Sequence, residues 1–363
     1  MKVLITTPLY PPEIGGPATY TALLEERLPE EGFQVEVLPF GAVKKFPKGI
    51  RHIVYFWKVF KAAKEADVVL IQDTVSSGFP AMLGSIFADT RAVVRVPGDY
   101  AWEQATQKFG VKDDLDTFQT RRYAPWIEIM RWIQRWTVRA ALVVIAPSDY
   151  LKNIIIGWRV SEKRVRRIYN GIEFPIEFIE PGEKPFGKVI VSVGRLVPWK
   201  GFKELISVVA LEKDWYLVIV GDGPQEKDLR AHADTKGILD RVTFTGALPR
   251  KEMLGWCKNA DVFVLNSAYE GLSHTLVEVM GLKTPVVATS VGGNPEVITD
   301  LAEGILVEVG NEESLRKAIR YVFEHPEESE LHAERAFRKA HEFSLDNTIK
   351  GVMEVLNYAR SQH

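Results

Sequence analysis

The chain has 363 residues, 46% hydrophobic and 26% charged, a globular composition too long for one ordinary core, so two domains are expected. The 46 Lys and Arg against 48 Asp and Glu leave a net charge of −2, which excludes the concentrated basic footprint of a nucleic-acid binder. A single cysteine, Cys257, excludes a disulfide framework and a cysteine-based zinc site, and suits a reducing cytoplasm.

From the first residues the chain enters a short apolar strand with Pro8 behind it, too short for the core of a signal peptide. Later apolar runs, such as 140–146, cannot span a bilayer, so any membrane contact is expected to be peripheral. Strands are predicted at 2–6, 34–38, 67–71, 92–96, 142–146 and 165–169, then at 189–193, 216–220, 242–245, 262–265, 285–288 and 305–307. Helix-length amphipathic stretches separate them. The strand runs are continuously apolar rather than alternating, which indicates parallel sheets buried on both faces. Two such successions predict two doubly wound α/β domains. The first is expected over 1–178 and the second over 187–344, with a Pro- and Gly-bearing break at 179–187 and a lone helix over 345–363. Residues 1–178 carry a formal charge of +4 and the remainder −6, so the first half suits an anionic acceptor or lipid surface.

One helical stretch is ambiguous. Trp126, Ile129, Trp132, Ile133 and Trp136 recur at helical spacing with Arg131, Arg135 and Arg139 between them. The commoner arrangement is a core helix with an arginine-lined outer face; the alternative is an interfacial helix on anionic lipid.

Doubly wound sheets bind ligands beyond the carboxyl ends of their strands, and the informative residues follow strands here. Gly194 to Gly201 holds Arg195 and Lys200, a planar fork and a point charge suited to a diphosphate; the competing reading is two solvated loop cations. Glu270-Gly271-Leu272-Ser273-His274 follows the strand at 262–265, and Ser273 is placed to cap a helix. The start of that helix would expose backbone N–H groups to phosphate, with Glu278 further along it. The glycine pair Gly292-Gly293 would let backbone approach a ligand, and Gly15-Gly16 opens the first helix. Asp114-Leu115-Asp116 matches a metal-binding DxD only formally, since no apolar strand precedes it. The seven histidines show no metal-ligand spacing, and Gly221-Asp222-Gly223 lacks the third glycine of a dinucleotide fingerprint.

Six segments in order, Gly15-Gly16, Tyr169-Asn170-Gly171-Ile172-Glu173, Gly194 to Gly201, Gly221-Asp222-Gly223-Pro224, Val242-Thr243-Phe244-Thr245-Gly246 and the Glu270…Glu278 pair, carry a family resemblance. From residue 2 to about 309 the chain resembles the family 4 retaining glycosyltransferases (glycosyl transferases group 1). Those enzymes have the GT-B fold, two Rossmann-like domains facing a cleft. The resemblance implies hexose transfer from a UDP- or GDP-sugar to a glycan, lipid-linked or polar acceptor, without metal or cofactor. It implies that Arg195 and Lys200 hold the donor diphosphate, Glu278 the ribose and Glu270 the donor sugar. Backbone N–H groups of His274, Thr275 and Leu276 would cradle phosphate, and Gly16 would close over it from the first domain. It also implies a last helix that packs on the first domain. Many relatives have a histidine where this chain reads Arg95-Val96-Pro97-Gly98-Asp99-Tyr100. Asp99 is then the nearest polar candidate for a catalytic group, or else a loop cap. A cytoplasmic enzyme, peripheral at the inner face of a membrane, is the expected setting. A non-catalytic nucleotide-sugar-binding protein and an NAD-dependent oxidoreductase are the alternatives.

Overall fold

The computed structural model describes all residues except 14, 183, 184, 186 and 363. The chain divides into two compact units, Met1–Tyr169 with Asp346–His363, and Asn170–Leu345.

In the first unit the strands are β1 (Lys2–Thr7), β2 (Gln34–Pro39), β3 (Val68–Ile71), β4 (Arg91–Arg95), β5 (Val143–Ala146) and β6 (Val165–Arg167). They form one parallel sheet in the order β2-β1-β3-β4-β5-β6. Every residue of β3 and β5 is buried, because helices cover both faces of a parallel sheet; this is why the strands read as unbroken apolar runs. The helices are α1 (Gly16–Glu30), α2 (Ile50–Ala63), α3 (Gly78–Phe87), α4 (Tyr100–Phe109), α5 (Leu115–Thr120), α6 (Pro125–Ala140) and α7 (Asp149–Gly157).

The second unit repeats the plan with β7 (Lys188–Val193), β8 (Trp215–Val220), β9 (Val242–Gly246), β10 (Val262–Leu265), β11 (Val286–Thr289) and β12 (Ile305–Val307). Their order is β12-β11-β10-β7-β8-β9, again parallel. The helices are α8 (Phe202–Val209), α9 (Glu226–Thr235), α10 (Arg250–Lys258), α11 (His274–Gly281), α12 (Asn294–Val297), α13 (Glu312–Glu324) and α14 (Pro326–Ala340). Leu205, Ile206 and Val209 of α8 and Leu315 and Ile319 of α13 join strand residues such as Leu217 and Val264 in one buried core. The final helix, α15 (Leu345–Ser361), belongs from Asp346 onward to the first unit. The architecture is GT-B: two doubly wound α/β units.

The change of unit falls at Tyr169/Asn170, earlier than the expected end at 178. Segment 170–178 is tied to the second unit by hydrogen bonds and ring stacking. Ile172 N donates to Phe343 O at 2.9 Å, Leu345 N donates to Ile172 O at 2.8 Å, and Phe174 stacks on His341 with centroids 4.3 Å apart. The expected break includes 183, 184 and 186, which lie outside the described residues.

Helix α6 is turned the opposite way from the commoner expectation. Trp126, Ile129 and Trp132 are 53%, 57% and 60% exposed, whereas Arg131 is buried. Arg131 donates to the carbonyls of Gln119 and Arg121, both at 2.9 Å, and to Glu128 at 2.7 Å. Its charge is thus satisfied inside, and the first part of the apolar stripe faces out, whereas Ile133 and Trp136 are half-buried and Arg139 is exposed. No helix among the described residues is long and apolar enough to cross a membrane.

Candidate active site

In the second sheet strand order reverses between β7 and β10, the position where a doubly wound sheet opens a crevice beyond its carboxyl ends. The loops that leave these two strands carry Arg195 and Lys200 on one side and Glu270 on the other. They are sewn together by backbone and side-chain bonds. Asn266 Nδ2 donates to Gly201 O at 2.9 Å and Ala268 N to Trp199 O at 2.7 Å. Gly201 has φ +67°, and a Cβ there would stand 2.0 Å from Asn266 O; only glycine allows both the turn and the approach.

This stitching brings Lys200 Nζ within 2.5 Å of Glu270 Oε1, and Ser267 Oγ donates to the same oxygen at 2.7 Å. Glu270 is 8% exposed. Arg195, on the same loop as Lys200, is exposed and has no hydrogen-bond or ion-pair partner for its side chain among the described residues. The structure therefore pairs one expected cation with the expected carboxylate and leaves the other open to an anion. Gly292 and Gly293, read from the sequence as a place where backbone can approach a ligand, pack against the backbone of Glu270. Gly293 N donates to the backbone carbonyl of Glu270 at 3.1 Å, so the pair braces the main chain that carries Glu270.

Ser273 caps α11, its hydroxyl accepting from Leu276 N at 3.2 Å. Of the backbone groups expected to cradle phosphate, that of Leu276 is thus already engaged. Those of His274 and Thr275 precede it at the half-buried start of the helix. Glu278, 7% exposed, accepts from Arg250 Nε at 2.7 Å. Burial pushes its carboxyl above the ordinary range, and the Arg250 guanidinium opposes that rise. Arg250, Asn266 and Ser267 were missed in the sequence; each is a single residue in no motif, with a partner settled only by folding.

In the first unit Gly16 opens α1 and is exposed, with nothing within 4 Å of a Cβ built on it. Asp99, read from the sequence as a catalytic candidate or else a loop cap, caps α4 and is 1% exposed. Its Oδ1 accepts from Trp102 N and Gln134 Nε2, both at 3.0 Å, and its Oδ2 from Gln119 Nε2 at 2.8 Å. Both oxygens are engaged, because the start of α4 and two amides converge on them. Beside it the half-buried Glu103 is pushed up to about 7 by burial and by the charges of Asp99 and Asp73, a residue the sequence did not single out. Asp114, of the formal DxD, caps α5 through Thr117 N at 2.6 Å.

Residues 2–171 match the Glycosyl transferase 4-like domain and residues 174–339 match Glycosyl transferases group 1. The chain belongs to the group 1 glycosyltransferases. The lipopolysaccharide core biosynthesis glycosyltransferase LpsD of Rhizobium meliloti is 36% identical over 227 residues, 62% of this chain and 64% of that protein. The 2-deoxystreptamine glucosyltransferase of Streptomyces kanamyceticus is 33% identical over 210 residues, 53% and 54% of the two chains. The match to this group 1 chain thus spans under two thirds of either relative. The crystal structure of Anabaena HepE in complex with UDP and glucose superposes with a TM-score of 0.78 at 20% identity, over 99% of this chain and all of that one. At that identity the likeness is one of fold.

Proposed function

We propose that this group 1 glycosyltransferase moves a hexose from a UDP- or GDP-sugar to a glycan, lipid-linked or polar acceptor, with retention at the anomeric carbon. The observation that carries this reading is the pairing of Lys200 with Glu270 beside an unpartnered Arg195 at the switch point of the second sheet. On donor binding the diphosphate takes up Arg195 and draws on Lys200, while Glu270 turns to the hydroxyls of the sugar. Glu278 receives the ribose hydroxyls, and the start of α11 meets phosphate. As the bond to the anomeric carbon breaks, negative charge gathers on the leaving diphosphate. Fixed cations there lower the barrier more than any other single term. Arg195 and Lys200 supply that charge, so no metal or cofactor is required. In retention the acceptor oxygen bonds to the face the phosphate leaves, and its proton passes to the departing phosphate oxygen. HepE, of the same fold and with UDP and glucose in its structure, supports a nucleotide-sugar donor. The setting is cytoplasmic, with peripheral contact to the inner face of a membrane.

The test is a panel of UDP-, GDP- and ADP-sugars read by thermal shift and by donor hydrolysis, with and without EDTA. One donor should both stabilise the chain and be hydrolysed, at a rate EDTA leaves unchanged. Stabilisation without turnover would leave a nucleotide-sugar-binding protein, and no response to any donor would refute the reading.

A further inference from the structure

At the amino edge of the first sheet, the opposite edge from Asp99, lies a cavity of about 450 Å³. Arg91, Arg139 and Arg164 line it, with Asp89 as the one carboxylate among the described residues of its wall. None of the three arginines forms an ion pair among the described residues. Arg91 and Arg164 each bury an Nε with no acceptor, while Arg91 Nη2 donates to Gln362 O, Arg139 Nε to Trp158 O and Arg164 Nη2 to the carbonyls of Arg139 and Ala141. Buried donors left open and uncompensated positive charge are the marks of an anion site, and guanidinium forks match phosphate oxygens.

The wall of this cavity runs onto an apolar surface. Ile86, 50% exposed, lines the cavity, and its neighbour Phe87 is 68% exposed. Phe87 meets Phe56 of α2 edge-on with centroids 5.6 Å apart, and α2 presents Ile53 and Trp57, 61% and 53% exposed. Right-handed crossovers place α2, α3 and α6 on one face of the sheet. Phe79 against Trp136, centroids 5.2 Å apart, joins α3 to α6 and so to its outward Trp and Ile stripe. The stretch that leads into and forms α2 is basic: from Lys44 to Lys64 the chain has seven Lys and Arg and no Asp or Glu, and of these Lys44 pairs with Glu13. Lys58, Lys61 and Lys64 are all exposed.

We propose that the face formed by α2, α3 and α6 docks on an anionic bilayer and takes a lipid phosphate into the cavity of Arg91, Arg139 and Arg164. This locates the membrane contact invoked above. Exposed tryptophan and isoleucine enter the interface while lysines meet the anionic headgroups, the division an interfacial surface requires. A second copy of the chain is the poorer partner, because a two-fold contact would set this acid-free basic stretch against itself.

The test uses the full chain with vesicles of phosphatidylcholine alone or mixed with phosphatidylglycerol, read by co-sedimentation. Binding is expected only to the mixed vesicles, weakening as salt rises. The triple variant K58Q/K61Q/K64Q should lower partitioning by about tenfold or more, and Trp57→Ser and Arg139→Gln should each lower it clearly. Far-UV circular dichroism checks the fold of each variant. No vesicle binding, or equal binding by wild type and folded variants, overturns the proposal. So does stabilisation by inorganic phosphate that Arg139→Gln removes without any binding to vesicles, which would mark a site for a free anion. A concentration-dependent dimer lost in Trp57→Ser, with no vesicle binding, would give the face to a second copy instead. Donor hydrolysis measured without vesicles reads the transferase proposal separately, and these variants should leave it unchanged.

Discussion

Lys200 and Glu270 stand 70 residues apart in the chain, on loops leaving two different strands, yet Nζ and Oε1 lie 2.5 Å apart. The pair is a poised arrangement: a cation aimed at a leaving diphosphate is held in place by the carboxylate that would meet the sugar. Lys200→Met should lower kcat by about a hundredfold or more. It should also cost about 1–3 kcal/mol of stability, because Glu270 would be left with Ser267 as its hydrogen-bond donor. The double variant K200M/E270Q should melt closer to wild type than Lys200→Met alone, since no charge is then stranded. Wild-type turnover by folded Lys200→Met would remove this pair from the chemistry.

Arg250 and Glu278 form another charged pair in the same unit. Burial raises the Glu278 carboxyl and Arg250 pulls it back, so Arg250→Ala should raise it further. The sign follows from linkage. A carboxyl that holds its proton more tightly folded than unfolded makes stability fall as pH rises above its unfolded value, up to its folded one. Thermal melts of Arg250→Ala should therefore lose more on going from pH 5 to pH 8 than those of wild type. Calorimetry with a nucleoside diphosphate should show roughly tenfold or greater weakening, the loss of one charged hydrogen bond. Unchanged affinity would separate Glu278 from the ribose.

Asp99 gathers three donors, from Trp102 N, Gln134 Nε2 and Gln119 Nε2. Asp99→Ala should destabilise the first unit by about 2 kcal/mol, through the lost cap and the stranded amides of Gln119 and Gln134. Asp99→Asn, which keeps the shape, should cost less, and turnover per folded molecule should stay within a few-fold of wild type. An Asn variant that melts normally but is dead in turnover would restore a catalytic role to this carboxylate.

Glu103, pushed up to about 7, bears on stability as well. Its unfolded carboxyl ionises near 4.5, so between that value and 7 the folded state loses ground as pH rises, and above 7 the whole cost is present. Glu103→Gln should raise the melting temperature above pH 7, by up to about 3 kcal/mol in stability, and change little below pH 5. A gain independent of pH would contradict the environment described for this residue.

The central strands were legible because a parallel strand buried on both faces must be apolar along its length, as 68–71 and 262–265 are. Lys200 and Glu270 were legible because ligand chemistry gathers where strands end. Arg250 was not: its partner lies 28 residues away, and no spacing rule reaches it. Nor was the direction of α6, since periodicity reveals a stripe but not which way it faces. That was decided by the carbonyls of Gln119 and Arg121, which gave Arg131 an interior home. Asp99 was placed at the right strand end with a cap as one of its readings, but the amides of Gln119 and Gln134 that also engage its oxygens arrive from α5 and α6, beyond any local pattern.

Gly292 gives the sharpest steric test of how Glu270 is held. Its φ is +53°, and a Cβ there would come within 1.8 Å of Glu270 O, a separation no side chain tolerates. Gly292→Ala must therefore push the loop of residues 290–293 away from Glu270, breaking the bond from Gly293 N to that same oxygen. The left-handed conformation adds about 1 kcal/mol of strain. Because the movement falls on loops rather than on the strands behind them, the unit should still fold, with a lowered melting temperature. Glu270 should no longer meet Lys200, and turnover should fall by about a hundredfold, as in Lys200→Met. Gly16→Ala is the contrast: its Cβ meets nothing within 4 Å, so stability should hold, and any loss of activity would come from ligand contact. If Gly292→Ala instead retained full turnover, the bracing of Glu270 from behind would be irrelevant to catalysis.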